Sequence, residues 1–354
     1  MESGILLIFL FVVYTLLFVF LKSYIKVYLP LILLGYLIKA YNIANLESIG
    51  YVFIYTIGFL ISFNMGKYIN IQFFRYVPFN LFIYNLIEKV FIGFLFFLML
   101  LIFVPLEITP PHFVFFISVI SFVYSKLFLL NKNIINYYNI NNIFIFFLLF
   151  FLYFFFKEPL NIDVLDKFFF IIFYSLFLLL FIKLKIESRL EVIGLLIVFV
   201  GLSIIFSFMS EVSILILGFL LSLIINFFSP TKRLIINSFI ETKYKYFSVV
   251  ISFFSGYFLQ LSYNLLIVTV IYIILRTFLR GFYSYFIIGV HSFKELVFSS
   301  IPSLIQTEEL LIFSIIYSLE FNFKESLSFV LGCVIINEFL LNYIHHYLKK
   351  QEIK

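Results

Sequence analysis

No stretch of this chain is polar for long enough to fold as a domain in water. Apolar runs follow one another from end to end, and the segments between them stay at about 16 residues or fewer, below the length of one helical bilayer crossing, about 20 residues. Hydrophobic residues make up 64% of the 354 and charged residues 12%. A water-soluble domain is nearer half apolar and a quarter charged. Water cannot solvate so much apolar surface, so a bilayer must. The fold class read from this is an all-α membrane protein of about thirteen transmembrane helices.

The apolar runs fall near residues 4–21, 27–38, 50–64, 80–104, 111–130, 142–156, 167–183, 190–208, 212–228, 244–260, 263–280, 298–319 and 326–345. Residues 1–346 are read as one polytopic domain and 347–354 as a short basic tail. The first run lacks a basic flank before it and a small-residue cleavage site, so it is expected to stay as a span. Basic residues mark alternate loops. Lys22 and Lys26 follow the first run, Lys67 and Arg75 the third, and Lys132 the fifth. Lys183, Lys185 and Arg189 follow the seventh, and Lys232, Arg233, Lys243 and Lys245 the ninth. The loop at 105–110 carries only Glu107, and the loop at 157–166 is mixed, with Lys157, Glu158, Asp163 and Asp166. The positive-inside rule then places the N-terminus outside and the C-terminal tail in the cytoplasm.

The net charge of +6 sits mostly in these short loops, which speaks to topology and excludes a nucleic-acid partner. The single cysteine, Cys333, excludes an intrachain disulfide and a zinc cluster. The four histidines, His112, His291, His345 and His346, show no metal-ligand spacing, and no cofactor is expected. Phe 56, Tyr 25, Trp 0 and only two alanines, Ala40 and Ala44, read as a bias in base composition rather than a ligand code.

An ionisable side chain at membrane depth is a functional candidate. Those candidates are Glu88, Arg276, Glu308, Glu309 and Glu338. At 1.5 Å per residue, Arg276 lies roughly 20 Å, Glu308 and Glu309 roughly 15 Å, and Glu338 about 18 Å from the end of its run. Glu88 has Lys89 beside it and Arg276 lies a turn above Arg280, so both could instead reach toward an interface. Pro302, Ser303, Gln306 and Thr307 precede Glu308 and Glu309, the make-up of a broken helix whose freed backbone groups can meet an ion.

The order of these features resembles the monovalent cation:proton antiporter superfamily, in particular its bacterial sodium- and potassium-proton branch. The segment from Leu29 and Pro30 to Gly35 is similar to the family's second helix, and Thr56 through Gly58 to Gly66 to its third. Glu191 through Gly201, Leu202 and Ser203 to Gly218 is similar to its Gly-Leu-Ser helix and the one behind it. Phe253, Phe254, Ser255 and Gly256 resemble a further segment, and Arg276 falls where the family has a basic residue. The resemblance implies inverted repeats, with spans 4–6 and 11–13 as counterparts. It also implies two crossing broken helices, a homodimer, and a site for monovalent cations and protons. The family's ion-binding Asp is replaced here by Asn141 and Asn142, and the preceding crossover helix keeps Ser121 without its proline. An amide ligates a cation through oxygen but carries no proton. Arg276 would then need another counter-ion, one of the glutamates of the last two spans, because stranding one member of a buried pair is costly.

These readings imply a secondary transporter of the antiporter type exchanging a monovalent cation, Na+ or K+, for protons in the cytoplasmic membrane. The alternative is an antiporter fold that has lost coupled exchange and acts as a sensor, regulator or passive pathway. A membrane-embedded polysaccharide-processing enzyme is the remoter alternative, since the large polar outer loop expected of one is missing. An intramembrane protease would want a His near Glu308 and Glu309, and His345 and His346 fall at the far end of their run. The chain is therefore not expected to be an enzyme.

Overall fold

The computed structural model describes residues 28–67, 143–145, 163–184, 188–260, 269–274, 308–321 and 326–334, with single positions between 69 and 98. Among them every regular element is helical. The continuous helices are α1 (Tyr28–Ala40), α2 (Glu47–Gly66), α3 (Asp163–Lys183), α4 (Arg189–Ser210), α5 (Ile214–Phe228), α6 (Pro230–Phe258) and α7 (Glu308–Glu320). Their ends follow local chemistry. Ser188 caps α4 by accepting from the Glu191 N–H at 3.3 Å, and Ser213 caps α5 by accepting from the Leu215 N–H at 3.4 Å. Pro230 opens α6, where its missing N–H costs nothing.

Two expected boundaries change. The basic residues Lys232, Arg233 and Lys243, read as a loop, ride on the first half of α6. That helix has 29 residues, about 43 Å of rise against a hydrocarbon core of about 30 Å, so its first turns project beyond the others. Lys232, Ile236, Ile240, Tyr244 and Ser248 recur every fourth residue and are all buried. That stripe, not overall hydrophobicity, carries the helix through the basic stretch. Likewise Asp163 and Asp166, read as loop residues, lie in the first turn of α3, where carboxylates favour the helix dipole.

Side-chain contacts sort the helix ends into two groups. At one end, Lys39 pairs with Glu47 across the α1–α2 turn, and Lys167 pairs with Glu211 between α3 and α4 at 3.8 Å. The Leu46 N–H donates to the Tyr257 hydroxyl there at 3.0 Å. At the other end, Lys67 meets Glu241 at 3.1 Å. There Lys232 Nζ donates to the Ile182 and Leu184 carbonyls, both at 2.9 Å. Lys67, Lys183, Arg189, Lys232, Arg233 and Lys243 belong to this second end, so the described bundle has one basic end and one mixed end.

Among the described residues two helices, α2 and α4, are long and apolar enough to cross a membrane. The pattern on α4 shows which solvent it suits. Its inward stripe holds Ser203, Ser207 and Ser210 beside Val192, Leu196 and Phe199. Its outward face shows Ile197, Val198, Leu202, Ile205, Phe208 and Met209. A helix in water hides its apolar side, whereas this one turns hydroxyls inward and hydrocarbon outward, as contact with lipid requires.

Close helix crossings hold the centre. A Cβ on Gly35 of α1 would run into the Phe253 carbonyl oxygen of α6, and one on Gly256 of α6 into the Ile32 carbonyl oxygen of α1. The two backbones touch at each other's glycine, the geometry that small residues allow between membrane helices. Helices α2 and α5 meet the same way at Gly218, which lies against Ser62 and the Phe59 backbone.

Candidate functional site

Of the sequence candidates, Glu308 and Glu309 are described as the first two residues of α7. Asn141, Asn142, Ser121, Glu88, Arg276 and Glu338 lie outside the described residues, as do Pro302 to Thr307. The structure therefore brings none of the predicted site residues together within what it describes.

It does assemble a carboxylate that the sequence reading passed over. Glu320 is the last residue of α7, one position beyond the expected span, and it is only partly exposed. The Tyr55 hydroxyl of α2 lies beside its carboxylate. Tyr55 stands roughly 12 Å along the axis from Glu47 and is itself buried, at 6% exposure. Its ring stacks on Phe208 of α4 at 5.1 Å between centroids. One turn before Glu320, Tyr317 stacks between Phe313 and Phe321, at 6.1 and 4.6 Å. Gly58 of α2 leaves room for the Ile316 side chain, which lets α7 approach closely enough for Tyr55 and Glu320 to meet.

The electrostatics there oppose a fixed negative charge. The C-terminal end of a helix disfavours an anion, and among the described residues no cation reaches the carboxyl. The two lysines at the mixed end are committed elsewhere, Lys39 to Glu47 and Lys167 to Glu211. A carboxylate in apolar surroundings without a counter-ion is expensive. A single phenol can donate to the ionised form or accept from the protonated form, and so serves both states.

Other buried polar groups have plainer explanations. The Tyr174 and Ser203 hydroxyls share a hydrogen bond at 2.6 Å between α3 and α4. Ser314 of α7 and Ser326 stand 3.5 Å apart, and Thr269 donates to the Phe329 carbonyl at 3.3 Å. Lys89, read only as the neighbour of Glu88, is fully buried, with its Nζ 6.0 Å from the Phe144 ring centroid. Cys333 is buried. Among the described residues no group of three His, Cys, Asp or Glu side chains could hold a metal ion.

Two signals in the sequence could have found Glu320. It ends a run from Leu310 that carries no charge and only Ser314, Tyr317 and Ser318 as polar breaks, and Tyr55 is the one polar side chain in the stretch from Val52 to Thr56 besides Thr56 itself. No family model matches the chain, and no curated protein matches it.

Proposed function

We propose that this chain is a membrane-embedded secondary transporter of the cation:proton antiporter type, exchanging a monovalent cation, Na+ or K+, for protons. The observation that carries the reading is Glu320, a part-buried carboxyl at the end of α7 with the Tyr55 phenol beside it and no counter-ion among the described residues. Exchange needs a group that takes up a proton from one state and a cation in the other. The family-like site offers Asn141 and Asn142 in its place, which cannot carry a proton, so Glu320 takes that role in this proposal. The cytoplasmic side is the basic end of the bundle, following the positive-inside rule. The functional particle is a homodimer in the cytoplasmic membrane, on the resemblance alone.

The test is proton flux in liposomes holding the purified chain, scanned over sodium, potassium and lithium. Cation-driven proton movement is expected, with loss of roughly nine-tenths or more of the rate in Glu320→Gln, which keeps shape but not the proton. Tyr55→Phe should keep exchange and move its pH profile, because the partner of the ionised form is gone. Unchanged flux in Glu320→Gln rejects the assignment of the proton group. No flux with any cation rejects transport itself and favours the non-exchanging reading, for which the Asn141–Asn142 pair speaks.

A further inference from the structure

Most of the serines buried in these helices find a partner close by. Ser62, Ser203, Ser210, Ser248, Ser252 and Ser318 each return their hydroxyl to a carbonyl three or four residues back, at 2.6 to 3.0 Å. Ser222 of α5 does not. It is completely buried, and its Oγ has no hydrogen-bond partner. The atom is turned toward α2 and would stand 2.7 Å from a Cβ on Gly66.

One turn further along α5, Asn226 is 6% exposed. Its amide nitrogen donates to the Gly66 carbonyl at 2.7 Å and the Ile69 carbonyl at 3.2 Å. Those two bonds orient the amide and use up its donors. Its Oδ1 is left buried without a partner. Two unsatisfied oxygens therefore lie at i and i+4 on one helix, on the face that meets the last turn of α2. A buried oxygen without a partner costs free energy unless something fills the gap.

The chemistry of the gap selects its occupant. Both open atoms are oxygens with lone pairs to offer, and the Asn226 amide donors are already spent on the Gly66 and Ile69 carbonyls. The last turn of α2 ends in carbonyls and carries the negative end of the helix dipole. Oxygen ligands with no thiolate or imidazole are the set that hard cations take. No carboxylate faces them from α2 or α5, so the site suits a single charge rather than a divalent ion. The one lysine adjoining it, Lys67, is directed to Glu241 on α6.

We propose that Ser222 Oγ and Asn226 Oδ1, set against the C-terminal turn of α2, form a buried binding site for a monovalent alkali cation. The site lies toward the basic end of the bundle, at the opposite end from Glu320, and does not rest on Glu320 carrying protons. In it the cation ties α5 to the end of α2, whose Gly66 packs directly against Ser222.

The experiment is thermal unfolding of the purified full chain in detergent at constant ionic strength. Sodium, potassium, lithium and choline chlorides are compared. One alkali cation should raise the midpoint by about 5 °C over choline when saturating. Ser222→Ala removes an oxygen that bonds nothing else, so it should fold normally in choline and lose most of the rise. Asn226→Asp keeps Oδ1 but turns an oxygen toward the Gly66 and Ile69 carbonyls in place of the donating nitrogen, so it should lower the midpoint in choline, with the alkali cation restoring part of the loss. A role confined to packing predicts the same loss for Asn226→Asp in all four salts. Identical midpoints in all four salts mean a water fills the gap and overturn the proposal. A full rise retained in Ser222→Ala also overturns it, because the cation would then bind elsewhere. Proton flux in the Ser222→Ala variant reports on the transport reading separately, since loss of the cation-dependent rise leaves Glu320 untouched.

Discussion

Helices α2 and α4 are similar in length and both apolar enough to cross a membrane, but they face different surroundings. In α2, 72% of the most apolar stretch is buried inside the molecule, against 33% in α4. The glycines show the contrast residue by residue. On α2, Gly50 touches the Phe254 ring, Gly58 the Ile316 side chain and Gly66 the Ser222 hydroxyl. On α4, a Cβ at Gly194 or Gly201 would meet nothing within 4 Å. The centre of the bundle is joined by backbone proximity, and its edge by a few polar clips with hydrocarbon facing out. Sequence alone weighs a glycine in either helix equally. The neighbour it does or does not have decides what it contributes.

The largest effect that could break this contrast is at the α1–α6 crossing. A methyl group at Gly256 meets the Ile32 carbonyl oxygen, a backbone atom that cannot swing away. Gly256→Ala should force the helices apart and lower stability by about 3 kcal/mol, at the upper end for overpacking. Gly35→Ala meets the Phe253 carbonyl in the same crossing. The double variant should cost clearly less than the sum, because the helices separate once. Thermal or denaturant unfolding in detergent checks both. A Gly256→Ala protein as stable as the parent would show that the centre is not held by close approach.

The next effect concerns how the edge is attached. Lys232 is buried and donates to two carbonyls at the end of α3. Those carbonyls have no partner within their own helix. Lys232→Met keeps the stem and removes both bonds, and should cost about 2 kcal/mol, the scale of hydrogen bonds from a charged donor. Protection of the α3 C-terminal amides in hydrogen exchange should fall more than that of α2. An equal loss across all helices would mean Lys232 supports the core rather than the edge.

How far the sequence anticipates this molecule differs by level. Helix positions were readable because apolar periodicity and length act locally: the expected runs at 50–64, 190–208 and 212–228 fall on α2, α4 and α5. The start of α6 was not readable, because Lys232 and Arg233 look like loop residues until the carbonyls of α3 are in place to receive Lys232. Gly35, Gly58, Gly66, Gly218 and Gly256 were singled out as motif residues, and each proves to be a contact point. Gly201 was singled out on the same grounds and touches nothing. Glu320 escaped because its importance depends on Tyr55, 265 positions away in the chain, and on lysines engaged elsewhere. Ser222 and Asn226 escaped because an unsatisfied oxygen is defined by missing neighbours, which no local pattern encodes.

A smaller effect sits on the seam between α3 and α4. Tyr174 and Ser203 share a bond at 2.6 Å, and Ser203 also donates to the Phe199 carbonyl at 2.6 Å. Since the Ser203 proton is given to that carbonyl, Tyr174 is the donor in the shared bond. Tyr174→Phe should therefore cost about 1 kcal/mol, and Ser203→Ala somewhat less. A double-mutant cycle should return a coupling near 1 kcal/mol. A coupling of zero would leave the two edge helices held by apolar contact and the Lys167–Glu211 pair.

The smallest expected effect is the sharpest test of the contrast, because its sign is at stake. Glycine inside a helix costs about 1 kcal/mol relative to alanine, through the greater freedom it loses on folding. At Gly256 that cost is outweighed by the carbonyl it would otherwise strike. At Gly201 nothing outweighs it, since the position is exposed and its Cβ direction is empty. Gly201→Ala should accordingly raise stability by up to about 1 kcal/mol, and Gly194→Ala should do the same. The midpoint in dilute detergent measures this for the single chain, and the same measurement at high protein concentration adds any second copy. If α4 carries a homodimer contact, its glycines are where another helix would come close. Alanine there would then stabilise the monomer and weaken the dimer, visible as a larger dissociation constant by sedimentation. A loss of stability in dilute detergent would show instead that Gly201 is covered within its own chain, and that the division between centre and edge is drawn in the wrong place.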